Sequence, residues 1–188
     1  SNTLLVDTVL GLPSGSSDVS DLIQWVRGGN VDGGAPDEAR YTMGDPLHAR
    51  PVSVIYGGSV GSPSINDAVV FSTTNDGYLH AIHPNGMSGV DAGGELWTYV
   101  PSELLPRMAA LRDNAPSVDK GFGLDGNVVA YKLDHNRDGI VNPANVTDGN
   151  DRVYLFFGMG RGGYNYYALD VTNKAQPKLL WRKGRSDI

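Results

Sequence analysis

The chain of 188 residues contains no cysteine. No disulfide can form, and stability must come from a packed core. A secreted protein of this size does not require disulfides, so the absence leaves the compartment open. No apolar run approaches the roughly 20 residues that a membrane-crossing helix needs, and no signal-peptide pattern is visible. Positive charge is scarce: 15 Lys and Arg stand against 21 Asp and Glu, a formal net charge of −6. Without a Lys/Arg cluster, nucleic acid is not an expected partner. Apolar residues at helical spacing are also rare. Glycine (25 residues) and aromatic side chains (3 Trp, 9 Tyr, 4 Phe) are plentiful instead. This balance predicts a β-rich, turn-rich chain long enough for one sizeable core. The chain begins Ser1-Asn2 without methionine and ends Arg185-Ser186-Asp187-Ile188 after a strand-like segment, which leads to the expectation of a piece excised from a larger protein.

The most informative stretch is Asp134-His135-Asn136-Arg137-Asp138-Gly139-Ile140-Val141-Asn142. It reads D-x-N-x-D-G-x-x-N, the front half of an EF-hand-type loop. Asp134, Asn136 and Asp138 place side-chain oxygens at loop positions one, three and five. Gly139 at position six permits a sharp turn without a Cβ clash. Ile140 would offer its backbone carbonyl, and Asn142 would bind directly or through a water. Hard oxygen donors on a tight loop suit Ca²⁺ better than zinc or copper. Position twelve is Asn145 rather than Glu, and Pro143 discourages an immediate helix. The flanks Val128-Val129-Ala130-Tyr131 and Val153-Tyr154-Leu155-Phe156-Phe157 read as strands. The expectation is a calcium loop spanning 134–151 between strands, with Asp148 or Asp151 as candidates for the final carboxylate.

Residues 1–42 read as an entry segment. It holds a short helix near 21–27, capped by Ser20 or Asp21 and ended by Gly28-Gly29, followed by a Gly/Asp-rich loop. A second metal site on Asp32 and Asp37 has no support from spacing. Strand-like runs dominate from Pro51: Val52–Tyr56, Ala68–Ser72, then the tight-turn signal Asn75-Asp76-Gly77 and Tyr78–Ile82. Ser102 to Arg112 reads as one helix inserted among the strands, with Pro106 tolerated in its first turn. An internal repeat organises the rest. Gly77-Tyr78-Leu79-His80-Ala81-Ile82-His83 leads to Glu95-Leu96-Trp97, and Gly163-Tyr164-Asn165-Tyr166-Tyr167-Ala168-Leu169-Asp170 leads to Leu179-Leu180-Trp181. A recurring unit that cannot bury its own face suggests propeller blades. The fold expectation is therefore all-β: a partial propeller of quinoprotein-like, modified blades over 43–188, with short inserted helices. Trp97 and Trp181 are expected to pack between blades.

Several motifs support a narrower resemblance. Ala168-Leu169-Asp170-Val171-Thr172-Asn173 through Leu180-Trp181 resembles the tryptophan-docking repeat of quinoprotein-like propellers. Gly160 through Asn173 resembles the G-x-G-G-x-x-Y-Y-A-L-D-V-T-N signature of the type IV pilus tip adhesin and biogenesis family, the PilY-type factors. Met43-Gly44-Asp45-Pro46-Leu47-His48-Ala49-Arg50-Pro51-Val52 is similar to that family's entry strand, Trp25-Val26-Arg27-Gly28 to its upstream helix, and Asn75-Asp76-Gly77-Tyr78-Leu79-His80-Ala81 to its blade motif. The resemblance implies a C-terminal modified propeller with an EF-hand-like calcium loop carried by Asp134, Asn136, Asp138, the Ile140 carbonyl and Asn142. It implies a non-enzymatic role in which Ca²⁺ tunes pilus extension, retraction and surface adhesion. It also implies minor pilins and host or abiotic surfaces as partners, and export to the pilus tip, the bacterial cell surface or the outer membrane. Asn142 stands where that family usually has Asp, and the family's Arg-Gly-Asp tripeptide has no counterpart.

Other constellations carry less. Gly158-Met159-Gly160-Arg161-Gly162-Gly163 lacks the following helix and Lys-Ser/Thr of a phosphate loop and reads as a turn between strands. His80 and His83, three apart on a strand, point to opposite faces and do not share a metal. Asp45 with His48 could suggest acid–base chemistry, but no nucleophile elbow accompanies them. Tyr164 and Tyr166 fall on one face and Tyr167 on the other. The competing function class is a fragment of a pyrroloquinoline quinone-dependent dehydrogenase. The repeats suit it, whereas the local calcium ligands and the lack of a vicinal cysteine pair do not. A dockerin-like module would need a second copy of the loop.

Overall fold

The computed structural model describes residues 4–31, 38–40, 43–116, 121–141 and 150–187. The chain divides into two compact units, Ser1–Gly44 with Val100–Gly121, and Asp45–Tyr99 with Phe122–Ile188.

The first unit is helical among the described residues. Helix α1 spans Val19–Val26 and buries Leu22 completely. It begins two residues before the start expected from Ser20 or Asp21, with Asp18 at its N-cap, and Gly28 at φ +90° follows its end. A 3-10 turn covers Thr8–Leu10, with the Asp7 carboxylate accepting from the Thr8 amide. The helix expected from Ser102 is split. Ser102–Arg107 is 3-10, and only Met108–Asp113, helix α2, is α-helical. Pro106 has no N–H to donate and its ring opposes the carbonyl one turn earlier, so the α pattern starts only beyond it. Leu104 and Met108 are the buried residues of this stretch.

The second unit is β. Its strands are β1 (Val52–Ile55), β2 (Gly58–Ser59), β3 (Ser62–Pro63), β4 (Ala68–Thr73), β5 (Leu79–His83), β6 (Gly94–Tyr99), β7 (Val128–Leu133), β8 (Arg152–Gly158), β9 (Tyr166–Asp170) and β10 (Lys178–Lys183). They form two four-stranded antiparallel sheets, ordered β1-β4-β5-β6 and β10-β9-β8-β7, with β2 and β3 as a separate hairpin. Each sheet is a meander, so neighbours in sequence are neighbours in space. The Asn75-Asp76-Gly77 signal lies at the β4–β5 turn, where Gly77 has φ +102°. The expected β character holds, with few helices.

The sequence repeat is a repeat of register. Across the first sheet, Val52 pairs with Phe71, Phe71 with Ala81 and Ala81 with Trp97. Across the second, Val129 pairs with Phe156, Phe156 with Ala168 and Ala168 with Trp181. The two sheets pack on each other through the face of the first that carries Phe71 and the face of the second that carries Phe157. Phe71, Leu79, Ala81, Val153, Leu155 and Tyr167 are each at most 1% exposed. Tyr99 from β6 meets Phe157 and Tyr167 edge-on at 6.0 Å each. Burial of large apolar side chains contributes on the order of 1.5–3 kcal/mol apiece and dominates this interface. In β8 the burial alternates strictly, Val153, Leu155 and Phe157 inward and Tyr154 and Phe156 outward, as a period of two requires.

Polar contacts stitch the same interface. The Trp97 indole donates to the Lys174 carbonyl at 2.8 Å, and the Tyr56 hydroxyl to the Val171 carbonyl at 2.8 Å. Thr73 Oγ1 donates to the Gly126 carbonyl at 2.6 Å. Lys174 Nζ pairs with Asp67, whose Oδ1 also faces His83 Nε2 at 3.3 Å. Burial by itself would raise the Asp67 carboxyl. The hydrogen bonds from Lys174 and His83 outweigh it and hold the group below the usual aspartate range. Burial first, then the Asp170 and Asp67 carboxylates, push the Tyr56 phenol far above its ordinary range, so it remains an O–H donor.

Trp181 departs from the expectation of a buried wedge. It is 40% exposed, touching Phe156 at 6.1 Å between ring centroids. It lies on the face of the second sheet turned away from the first, and every residue of β10 is exposed. Trp97 alone occupies the between-sheet position.

Candidate metal centre

The Asp134 segment connects β7 to β8, whose last paired residues are Leu133 and Arg152. β7 delivers Asp134 to the loop with its carboxylate turned inward. Asp134 Oδ1 accepts from the Asp138 amide at 3.1 Å and Oδ2 from the Gly139 amide at 2.7 Å. Asn136 Oδ1 accepts from the same Asp138 amide at 3.2 Å, and Asp138 Oδ1 from the Ile140 amide at 2.9 Å. The two turns of chain this demands place Arg137 at φ +59° and Gly139 at φ +87°. The left-handed conformation at Gly139 is the one the sequence pattern expects there. A Cβ at that position would also stand 3.2 Å from the Pro63 ring.

The loop is braced from outside. The Gly61 amide donates to the Asp138 carbonyl at 2.7 Å, and the Val141 amide to the Tyr56 carbonyl at 2.7 Å. Lys132 Nζ bridges the Gly139 carbonyl at 2.7 Å and the Ile55 carbonyl at 3.0 Å. The β2–β3 hairpin and the end of β1 therefore hold the loop in shape. From the other end, the Asp151 carboxylate accepts from the His135 amide at 2.9 Å. Asp138 and Asp151 are 8% and 2% exposed. Asp134, Asn136 and Asp138 are thus wound on one short stretch of chain, and Asp151 meets that stretch at the His135 amide. Asn142 and Asp148 lie outside the described residues, as do Asp32 and Asp37.

Donor chemistry fits a hard divalent cation. Each amide engages one lone pair of the carboxylate oxygen it meets, and such an oxygen can accept twice. Among the described residues no three or more His, Cys, Asp or Glu side chains form a metal cage by themselves. By chemistry the run offers carboxylates, the Asn136 amide oxygen and main-chain carbonyls, the mixture of donors that calcium loops use.

The remaining candidates resolve into structural contacts. His48 Nδ1 lies 2.8 Å from Asp125 Oδ1, and Arg161 Nε 3.7 Å from Asp125 Oδ2. His48 is therefore paired with a carboxylate 77 residues away rather than with Asp45, whose carbonyl accepts from the Asn75 amide at 2.8 Å. Asp125 was missed in the sequence because nothing local distinguishes it from a turn aspartate. His80 is buried against Glu95 at 2.5 Å and Thr74 at 3.0 Å, while His83 meets Asp67, so the two imidazoles do belong to separate clusters. Gly160–Gly162 forms a single 3-10 turn that leads towards β9. Tyr164 and Tyr166 are 73% and 63% exposed and Tyr167 is 1% exposed, as the alternation predicts.

No protein-family model matches the chain. A type IV pilus biogenesis factor PilY1 homolog from Xylella fastidiosa is 26% identical over 200 residues, covering 95% of this chain. The chain is related to the PilY-type pilus biogenesis factors. It spans 15% of that relative's length. The crystal structure of the Pseudomonas aeruginosa PilY1 C-terminal domain is similar with 24% identity and a TM-score of 0.37, over 63% of this chain and 19% of that one. The stretches that carried the PilY-type resemblance map onto definite elements: Asn75–Ala81 onto the β4–β5 turn and β5, and Gly160–Asn173 onto the 3-10 turn, β9 and the turn that offers its Lys174 carbonyl to Trp97. No helix among the described residues is long and apolar enough to cross a membrane.

Proposed function

We propose that this chain is a calcium-binding β-propeller module of a type IV pilus tip adhesin or biogenesis protein, exported to the pilus tip or cell surface, with Ca²⁺ regulating pilus extension, retraction and surface adhesion. One observation carries the metal reading. The D-x-N-x-D-G run is wound so that its own amides orient Asp134 and Asp138, while Asp151 is brought back to the same loop. Asp134, Asn136, Asp138 and the Ile140 carbonyl would hold the ion, joined by Asn142, with Asp148 or Asp151 as the final carboxylate; Asp151 meets the loop at the His135 amide. Bound calcium would supply positive charge to a cluster of carboxylates that otherwise repel one another. The chain's part is positional. Lys132, Gly61 and Tyr56 fix the outer surface of the loop, and the amides of Asp138, Gly139 and Ile140 aim the carboxylates. The two meander sheets with their Trp97 contact support reading them as consecutive blades of a partial propeller. The proposed role is non-enzymatic, and its partners are minor pilins and the surface to which the pilus attaches. The relationship to PilY-type factors supports this placement.

Calorimetric titration of metal-stripped protein tests the metal reading. Saturable Ca²⁺ binding that is lost in Asp138→Ala is expected, and no heat of binding would reject it. Twitching motility tests the role. Cells carrying Asp134→Ala with Asp138→Ala at wild-type protein levels are expected to lose normal motility, and unchanged twitching counts against regulation by this loop.

A further inference from the structure

The bond between Asp45 and Pro46 lies where the chain passes from the first unit to the second. It is the one Asp-Pro bond in the sequence. Asp45, Pro46 and Leu47 are all exposed. An aspartate at a reactive turn ordinarily closes on the following main-chain nitrogen and forms a succinimide. Asp45 cannot, because Pro46 has no N–H to lose. The electrophile left within reach of its carboxyl is its own main-chain carbonyl carbon, and closing that ring gives a cyclic anhydride.

The fold grips this bond from both sides. The Asp45 carbonyl oxygen accepts from the Asn75 amide at 2.8 Å, a donor fixed in the β4–β5 turn. That donor draws electron density from the carbonyl and stays in place as the oxygen gains charge under attack. Downstream, the Pro46 carbonyl accepts from the Ala49 amide at 2.6 Å. His48 Nδ1 meets the buried Asp125 carboxylate at 2.8 Å, and the Arg50 amide donates to Asn127 Oδ1 at 2.9 Å. Between these anchors Leu47 has φ +39°, a conformation unfavourable for leucine. Breaking the bond just before it lets Pro46 and Leu47 relax. The charged groups of these anchors are His48, Asp125 and Arg161, whose Nε lies 3.7 Å from Asp125 Oδ2, and Asp76, which takes the Thr74 hydroxyl beside Asn75.

We propose that Asp45–Pro46 is a self-cleaving peptide bond, in which the Asp45 carboxyl attacks its own main-chain carbonyl and expels the Pro46 nitrogen. The carboxyl oxygen bonds to the carbonyl carbon. The C–N bond then breaks, its electron pair goes to the Pro46 nitrogen, and the carboxyl proton moves there with it, leaving the anhydride at Asp45 and a proline amine. Water opens the anhydride to two carboxyls, so the net change is hydrolysis of one peptide bond. The expelled nitrogen needs a proton, so the rate rises as the pH falls. The pieces stay together, because the buried residues of the first unit come from both sides of the cut: Leu10 and Leu22 before it, Leu104 and Met108 after it. The cut removes one of the covalent connections between the units and keeps those after Tyr99 and Gly121. Neither calcium nor the pilus relationship enters this chemistry.

The test follows the intact mass of the purified chain with time at neutral and mildly acid pH, with protease inhibitors present. Two pieces, 1–45 and 46–188, are expected, with masses summing to the chain plus one water. Their formation should be first order, independent of protein concentration and faster in acid. Hydroxylamine should trap the anhydride as a hydroxamate at the Asp45 terminus. Asp45→Ala, checked for folding by circular dichroism, should not cleave. Leu47→Gly, which accepts a positive φ without strain, should cleave several-fold more slowly. The chain unfolded in urea at the same pH gives the lability of any Asp-Pro bond, and the folded chain should cleave at least about tenfold faster. An intact folded chain in acid overturns the proposal. So does cleavage no faster than in urea, or cleavage that persists in folded Asp45→Ala.

Discussion

The indole nitrogen of Trp97 donates to the main-chain carbonyl of Lys174 at 2.8 Å, tying the last strand of one sheet to a turn of the next. The Lys174 side chain closes the same junction on Asp67. Trp181, the repeat equivalent of Trp97, has its ring on Phe156 of its own sheet.

The two tryptophans should therefore differ in their contribution to stability. Trp97→Ala is expected to cost about 3 kcal/mol, the lower end for removing a large packed aromatic, because its ring is only half-buried. Trp97→Phe keeps the packing but strands the Lys174 carbonyl, at about 1 kcal/mol. Trp181→Ala in the 188-residue chain should cost less than about 1 kcal/mol, as an exposed ring loses little on truncation. Urea unfolding monitored by circular dichroism gives all three, and a Trp181 cost equal to that of Trp97 would contradict the assignment.

For the loop, Asp134→Ala and Asp138→Ala should each abolish calcium binding, and Asn142→Asp should tighten it by adding a charged donor. Asp151→Asn should weaken it by about tenfold, roughly 1.4 kcal/mol. Mg²⁺ should bind far less well, since it sheds water reluctantly and demands strict octahedral geometry. Saturating calcium should raise the thermal midpoint and chelation should lower it, because the folded loop alone binds the ion. Calorimetry and thermal melts decide. Asp134→Ala binding as tightly as the wild type would remove the assignment.

Gly139→Ala probes the turn. Its φ of +87° is unfavourable for alanine, and the new Cβ would lie 3.2 Å from Pro63. About 1–2 kcal/mol of stability and a measurable part of the calcium affinity should go with it. Gly93→Ala has a similar φ of +77° and nothing within 4 Å. It should cost about 1 kcal/mol and leave calcium binding intact. Equal affinities in the two variants would show that the Gly139 turn does not shape the site.

Asp67 predicts a feature of the acid limb. Its folded-state carboxyl is held below the ordinary range by Lys174 and His83. A depressed folded pKa contributes stability that is fully present above the unfolded value, about 3.9 for aspartate, and is lost as pH falls through the folded one. Asp67→Asn should thus unfold more readily than wild type at neutral pH and lose less on acidification below about pH 4. Chemical denaturation midpoints between pH 3 and 6 measure this. Parallel curves would show that the junction does not depend on the Asp67 charge.

Much of this molecule follows from short-range rules. The D-x-N-x-D-G run dictated a tight loop because a glycine in the left-handed region and side-chain oxygens at alternate positions close it locally. Asn75-Asp76-Gly77 dictated a tight turn, and two-residue alternation separated Tyr166 from Tyr167. The repeat predicted two equivalent strand sets, and the register confirms them residue by residue. Tertiary structure decided what lies across long separations. The repeat treats Trp97 and Trp181 alike, and only the packing of one sheet on the other covers the first and leaves the second bare. His48 finds Asp125, and Lys132 reaches Ile55, each across 77 residues of chain. The contact of Asp151 with the loop came from strand pairing, because Leu133 opposite Arg152 brings the carboxylate back beside His135. Local sequence sets backbone conformation within a few residues. Which surfaces meet depends on how whole sheets bury their apolar faces, and no single segment carries that information.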